Sequence, residues 1–184
     1  AQAGYEQVLA LEPKNFDALH MLGVLATQIN QPEQALSLIE QALRIKPEVA
    51  GAYENLGIAL RKLNRFEEAL ANFNRAIKLE PSNAQTYTNR GVVLRNLHRY
   101  SEAIASYNDA LLLTPNLPQA LYNRGLVRND LNLLAQALQD FDATLELLPS
   151  FYPALWAKAI CLLQMGDYSQ GWPLYVYRWQ QDEK

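Results

Sequence analysis

Three asparagines, Asn55, Asn89 and Asn123, recur at intervals of 34 residues. A carboxamide carries both a donor and an acceptor. It can therefore satisfy the N–H and C=O of a polypeptide backbone without reading side chains. Each asparagine is followed three and seven residues on by an apolar and a polar residue: Ile58 and Lys62, Val92 and Asn96, Leu126 and Asp130. Residues at i, i+3 and i+7 lie on one side of a helix. Stacked helices would then present a column of asparagines beside an apolar column. Helices about 8–10 Å apart match about three residues of extended chain at about 3.3–3.6 Å each. The apolar column extends to Val24 and Ile160, whereas Met21 and Ala157 fill the outer slots of the asparagine column. The charge along this face is mixed, with Arg61, Lys62 and Arg95 against Asp17, Glu54 and Asp130. The pattern suggests a groove that grips an extended peptide. Asparagines that line a wet groove, or that tie neighbouring helices together, are the alternatives.

Other chemistry is poorly represented. The two histidines, His20 and His98, have no metal-ligand spacing, and no glycine-rich phosphate loop precedes a helix. Acidic pairs such as Glu67 and Glu68 read as solvated charges. The single cysteine, Cys161, sits in an apolar helical context and reads as a core residue. No catalytic site, metal or cofactor is expected, so these residues are not expected to form an enzyme. A formal net charge of −3 without a basic run argues against nucleic acid. No run of 18 apolar residues occurs, so no membrane span is expected. The expected partner is protein or peptide, and the expected location is the cytoplasm.

The elements that must position these residues follow from a longer period. Pro13, Pro47, Pro81, Pro115 and Pro149 fall every 34 residues, as do Gly23, Gly57, Gly91 and Gly125, and Ala35, Ala69, Ala103 and Ala137. This punctuation resembles the tetratricopeptide repeat (TPR): a large residue, Leu-Gly, an Ala-x-x-x-aromatic pair and a closing proline. The resemblance implies an all-α solenoid of antiparallel helix pairs in a right-handed superhelix. The expected organisation is residues 1–15 as the second helix of a truncated repeat, four repeats over 16–49, 50–83, 84–117 and 118–151, and a divergent terminal unit over 152–184. Ala1 and Tyr5 hold the Ala-x-x-x-aromatic phase of the half-repeat, and chain is expected to continue upstream of it. In the first full repeat the inner helix is expected from about Asp17 to Ile29 and the outer from about Pro32 to Ile45. Gly23 and Ala35 are small because the two helices cross there.

Two units depart from the pattern. Arg124, like Arg90, stands where Leu22 and Leu56 stood. It is expected to snorkel, or to pair with an outer-helix carboxylate such as Asp109 or Asp142. Thr144 replaces the alanine represented by Ala76 and Ala110. The terminal unit, with an inner helix at about Pro153–Met165, replaces Leu-Gly with Lys158 and Ala159 and then runs into Trp172, Pro173, Tyr175, Val176 and Trp179. Pro173 is acceptable only in a first helical turn. Trp172, Tyr175, Val176 and Trp179 are expected on one helical face, either as a heavier core face or as a docking surface for whatever follows in the full protein. The alternative to peptide binding is a non-enzymatic scaffold that assembles, including by self-association, through its repeat edges or this aromatic end. The chain ends in the polar segment from Gln180 to Lys184.

Tyr53-Glu-Asn55-Leu-Gly57 and Tyr87-Thr-Asn89-Arg-Gly91 resemble the TPR arm of O-linked N-acetylglucosamine transferase. That resemblance implies an asparagine ladder, here Asn55, Asn89 and Asn123, holding an acceptor polypeptide. The opening Asp17–Ala26 and the closing Gly166–Trp179 are similar to segments of bacterial TPR proteins with a C-terminal glycosyltransferase-like domain, which implies a substrate-recruiting arm. The carboxylate clamp of chaperone-binding TPR proteins is not matched. Its first lysine–asparagine pair would fall on His20 and Val24, Glu54 and Ile58, or Thr88 and Val92.

Overall fold

The computed structural model describes residues 2–180. Ala1 and residues 181–184, assigned above to the half-repeat and to the polar end, lie outside the described residues. By internal packing the chain forms two compact units, residues 1–97 and 98–184. The first holds α1 (Gln2–Leu11), α2 (Phe16–Gln28), α3 (Pro32–Ile45), α4 (Ala50–Lys62), α5 (Phe66–Leu79) and α6 (Ala84–Asn96). The second holds α7 (Tyr100–Leu113), α8 (Pro118–Asp130), α9 (Leu134–Leu147), α10 (Tyr152–Gln164) and α11 (Tyr168–Tyr175), followed by a 3-10 segment, Val176–Gln180. No strand occurs among the described residues. No described helix is long and apolar enough to cross a membrane.

The helices begin and end for local reasons. Asn15 caps α2, its Oδ1 accepting from the Ala18 N–H at 3.0 Å. Asn83 caps α6 through the N–H groups of Gln85 and Thr86. Pro32 and Pro118 open α3 and α8, where a missing N–H costs nothing. The inner helices stop at a second series with the 34-residue spacing. Asn30, Asn64, His98 and Asn132 have φ of 57–59°, and Gly166 has φ of 83°. Among side-chain-bearing residues, asparagine and histidine tolerate this left-handed region best. At Asn64 the stop is closed by Asn64 N–H to Arg61 O at 3.0 Å and Arg65 N–H to Leu60 O at 2.9 Å. The same pair of bonds recurs at Asn30, Asn132 and Gly166. This is the Schellman arrangement that satisfies the last carbonyls of a helix. It places the capping asparagine and the left-handed residue at the ends of α2, which runs Phe16–Gln28 and so starts and ends one residue before expectation. The inner helix α10 is shifted in the same sense.

The turn folds each outer helix back onto its inner partner, and the two cross at the glycines. A Cβ on Gly57 would lie 2.8 Å from the Phe73 ring, one on Gly23 would lie 2.5 Å from Ile39, and one on Gly125 would lie 2.6 Å from Phe141. All three facing side chains are fully buried. The partner in each case is the residue 16 positions on.

The terminal unit differs from expectation. Pro173 is the sixth residue of α11 and not in its first turn. Proline removes an internal bond and clashes with the carbonyl four residues earlier. The α-helix accordingly ends at Tyr175 and continues as the 3-10 segment, so the aromatic stripe is not one α-helical face. Gly171 makes the close contact here, where a Cβ would meet Leu163 at 2.7 Å.

The crossing predicts a paired result. Gly57→Ala should lower stability by about 1–2 kcal/mol, because overpacking outweighs the better helix propensity of alanine. Gly51→Ala, in the same helix with nothing within 4 Å of its Cβ, should stabilise by about 0.5 kcal/mol. Urea unfolding of the two variants checks this; equal midpoints would contradict the crossing.

Candidate functional site

In the first unit the inner helices α2, α4 and α6 are neighbours in space. The asparagines tie them together. The Asn55 carboxamide nitrogen lies 2.9 Å from His20 Nε2. Asn89 donates to Glu54 at 3.0 Å, and its Oδ1 accepts from Gln85 at 3.4 Å. Glu54 also accepts from Asn83 at 3.3 Å. Both inter-helix bonds join residues 35 apart, one repeat plus one residue. Each fixes a carboxamide by one nitrogen and leaves further hydrogen-bonding capacity on the same group. The roles around His20 agree with its protonation: burial holds its pKa below the ordinary value, against the opposing pull of Asp17 and a backbone hydrogen bond with Gly51. A neutral ring nitrogen can accept from Asn55.

The other predicted groove residues are placed as follows. Lys62 is exposed but engaged: its ammonium donates to the Thr27 carbonyl at 2.6 Å, near the end of α2, with Asn30 Oδ1 at 3.5 Å. A cation beside the last carbonyls of a helix complements its dipole. Ile58, Val92, Arg61 and Arg95 are half-buried.

In the second unit Asn123 is half-buried and makes no hydrogen bond among the described residues. Leu126 packs against the core cluster of Ala137, Phe141, Ala157 and Cys161. Its side chain is therefore shared with the core. Burial pushes the Cys161 thiol up to about 11, with Asp142 adding to the effect, and its Sγ donates to the Leu134 carbonyl at 3.3 Å. This is an inert core thiol.

Arg124 pairs with neither Asp109 nor Asp142, the carboxylates named from sequence. It is bound to Asp140 at 2.6 Å, and Asn108 accepts from its other nitrogen at 2.7 Å. Arg128 completes the cluster at 2.7 Å from the second Asp140 oxygen. Asp142 instead holds Lys158 at 2.6 Å. The register explains the correction. Arg124 faces the residues 16 before and 16 after it, the same spacing that sets Gly57 against Phe73. The sequence signal for Arg128 was available: it occupies the apolar column of Ala26, Leu60 and Leu94. Burial lowers its pKa while Asp140 opposes the shift. A carboxylate that is only 3% exposed is shared by two guanidinium groups, and the Arg124 guanidinium also reaches the Asn108 carboxamide oxygen, so the cluster fastens α7, α8 and α9. Removing the carboxylate would leave two arginines without their counter-ion in a poorly solvated place.

At the terminal unit Trp172 is 59% and Trp179 71% exposed, and Tyr175 is half-buried. Arg178 lies over both the Tyr175 and Trp179 rings, at 4.7 and 4.2 Å from their centroids. The aromatics are therefore mostly surface. No group of His, Cys, Asp and Glu among the described residues could hold a metal ion.

The comparisons agree with this architecture. The structure is similar to that of YrrB, described as a TPR protein with an unusual peptide-binding site. Identity is 20%, the match covers 96% of this chain and 91% of YrrB, and the TM-score is 0.73. It is similar to Pseudomonas aeruginosa pilF at 26% identity over 92% of this chain and 77% of that one, with a TM-score of 0.82. It is also similar to residues 41 to the end of MamA from Desulfovibrio magneticus RS-1, at 18% identity over 91% and 97% of the two chains, with a TM-score of 0.79. No curated protein matches the sequence. The tetratricopeptide repeat family model matches residues 1–50, 20–84, 54–120 and 88–150. With these matches running along most of its length, the chain belongs to the tetratricopeptide repeat family, whose fold is a protein-interaction module.

Proposed function

We propose that the chain binds an extended polypeptide along its inner-helix face, with Asn55, Asn89 and Asn123 contacting the peptide backbone. The observation that carries this reading is the fixing of Asn55 and Asn89 by single inter-helix bonds of equal register. A carboxamide held by one nitrogen pays little ordering entropy when its remaining groups meet a ligand. Asn123, which has no hydrogen-bond partner among the described residues, has its full capacity for one. Ile58, Val92 and the exposed part of Leu126 would take apolar side chains, and Arg61, Lys62 and Arg95 would favour acidic residues in the peptide. The YrrB likeness supports the fold that such binding needs. In the fuller form of the proposal, this arm recruits substrate for a glycosyltransferase-like domain, a reading supported by the Asp17–Ala26 and Gly166–Trp179 resemblances. The natural reading frame beyond Lys184 tests that part: an α/β nucleotide-sugar-binding domain supports it, and an early stop removes it.

A second reading has its own observation. Trp172, Val176 and Trp179 are more than half exposed, and single-chain proteins seldom leave a large apolar patch uncovered. We propose that this end mediates assembly, including self-association.

Two measurements separate the readings. Alanine at Asn55, Asn89 and Asn123 should weaken binding to peptides selected from a linear random library at least about tenfold, on the scale of about 0.5–1.5 kcal/mol per lost hydrogen bond. The far-ultraviolet spectrum should be unchanged, and undiminished affinity in that folded variant would refute the ladder. If the aromatic end assembles copies, sedimentation should show concentration-dependent oligomers that Trp172→Ala with Trp179→Ala dissolves. Oligomers that survive both changes would place the interface elsewhere.

A further inference from the structure

Leu19 and Tyr53 occupy the same position of successive repeats, and only the tyrosine reaches the connection before its helix; Leu19 is itself 4% exposed and lines the space beside it. The Tyr53 hydroxyl donates to the Pro47 carbonyl at 3.0 Å, and the Arg75 guanidinium lies 5.9 Å from the ring centroid. The ring thus bridges the connection before α4 and the outer helix α5. One repeat earlier the corresponding frame is Pro13 and Gln41, and α2 offers Leu19. A leucine cannot reach a carbonyl as a phenol does. A cavity of about 460 Å³ opens there, lined by Pro13, Lys14, Leu19, Gln41, Arg44 and Ile45. That volume falls within the roughly 300–1,000 Å³ of small-ligand sites.

We infer that this cavity is a socket for an aromatic side chain of a partner polypeptide, carried next to a carboxylate. The chain itself supplies the precedent for the ring, since the equivalent space in the next repeat holds one. The charge of the walls supplies the second half: Lys14 and Arg44 are the two charged residues lining the cavity, and both are cationic. Pro13 stands in the place of Pro47, whose carbonyl accepts the tyrosine hydroxyl. The socket is separate from the asparagine face. Leu19 and Met21, the latter in the asparagine column, are two residues apart, which at 3.6 residues per turn puts them on opposite sides of α2. A peptide lying in the groove does not fill it.

The test uses small probes and the full chain. N-acetyl-phenylalanine and N-acetyl-tyrosine, both with free carboxylates, are titrated into ¹⁵N-labelled protein. Saturable shifts are expected at the amides of Leu19, Gln41 and Ile45. N-acetyl-phenylalaninamide should bind about fivefold more weakly, the scale of one exposed charge pair, and N-acetyl-alanine should give no saturable shift. Leu19→Tyr should abolish binding by filling the socket with the chain's own ring. Arg44→Glu, at an exposed residue, should weaken binding of the free acids at least about fivefold without disturbing the fold. Absence of saturable shifts in the unsubstituted protein overturns the proposal. So do equal responses to N-acetyl-alanine, or binding that persists unchanged in a folded Leu19→Tyr or Arg44→Glu protein.

Discussion

The close approach of inner and outer helices at the glycines governs the rest of the structure. Gly57 lets the Phe73 ring pass at a distance that no Cβ allows, and Gly23 and Gly125 do the same for Ile39 and Phe141. That contact fixes which residue of the outer helix faces which residue of the inner one. Once residue i faces i+16, the neighbouring positions are determined too. Arg124 must meet Asp140, and Arg124 also meets Asn108 on the helix before. A crossing set by small residues is rigid because both surfaces are close-packed. The tight Schellman turns at Asn30, Asn64 and Asn132 keep the two helices of each pair in that register.

Rigid pairs make a face on which side chains repeat at equal intervals. In the first unit that face carries the His20–Asn55 and Glu54–Asn89 bonds, which join one inner helix to the next. These bonds are the tie between neighbouring helices that the sequence offered as an alternative to peptide gripping. They use only part of each carboxamide's capacity, and the proposed peptide contact would draw on the remainder. In the second unit charge enters positions that are apolar in the first two full repeats: Arg124, Arg128 and Lys158 sit on inner helices against Asp140 and Asp142 on an outer helix. Part of the polar chemistry of this half is thus directed between its own helices.

Much of the fold was legible because period and punctuation are local properties. The prolines, the glycine–alanine crossings and the outer helix Pro32–Ile45 all follow from residue spacing. The left-handed series at Asn30, Asn64, His98 and Asn132 is equally periodic but less legible, because asparagine in a turn is common and its φ is not written in its identity. Asp140 escaped for a different reason. A partner 16 residues away on a second helix needs the crossing register, and that register follows only when the glycines are matched to the side chains they accommodate. Pro173 shows the converse limit: its position in the helix depended on where α11 begins, set by the Asp167 cap on the Gln170 N–H. The cavity beside Leu19 has no motif at all. It is visible only as the absence of a ring that the next repeat possesses.

The central claim is that Asn55 and Asn89, fixed between helices, and Asn123 at the same position of the next repeat are the groups that meet the polypeptide. It is tested most directly by following the side-chain N–H resonances of Asn55, Asn89 and Asn123 while a selected linear peptide is titrated into the ¹⁵N-labelled protein. The account predicts that all three pairs shift and saturate together with the peptide's own binding curve. A peptide that binds while these side-chain signals stay in place would contradict it, and would move the binding surface away from the inner-helix face.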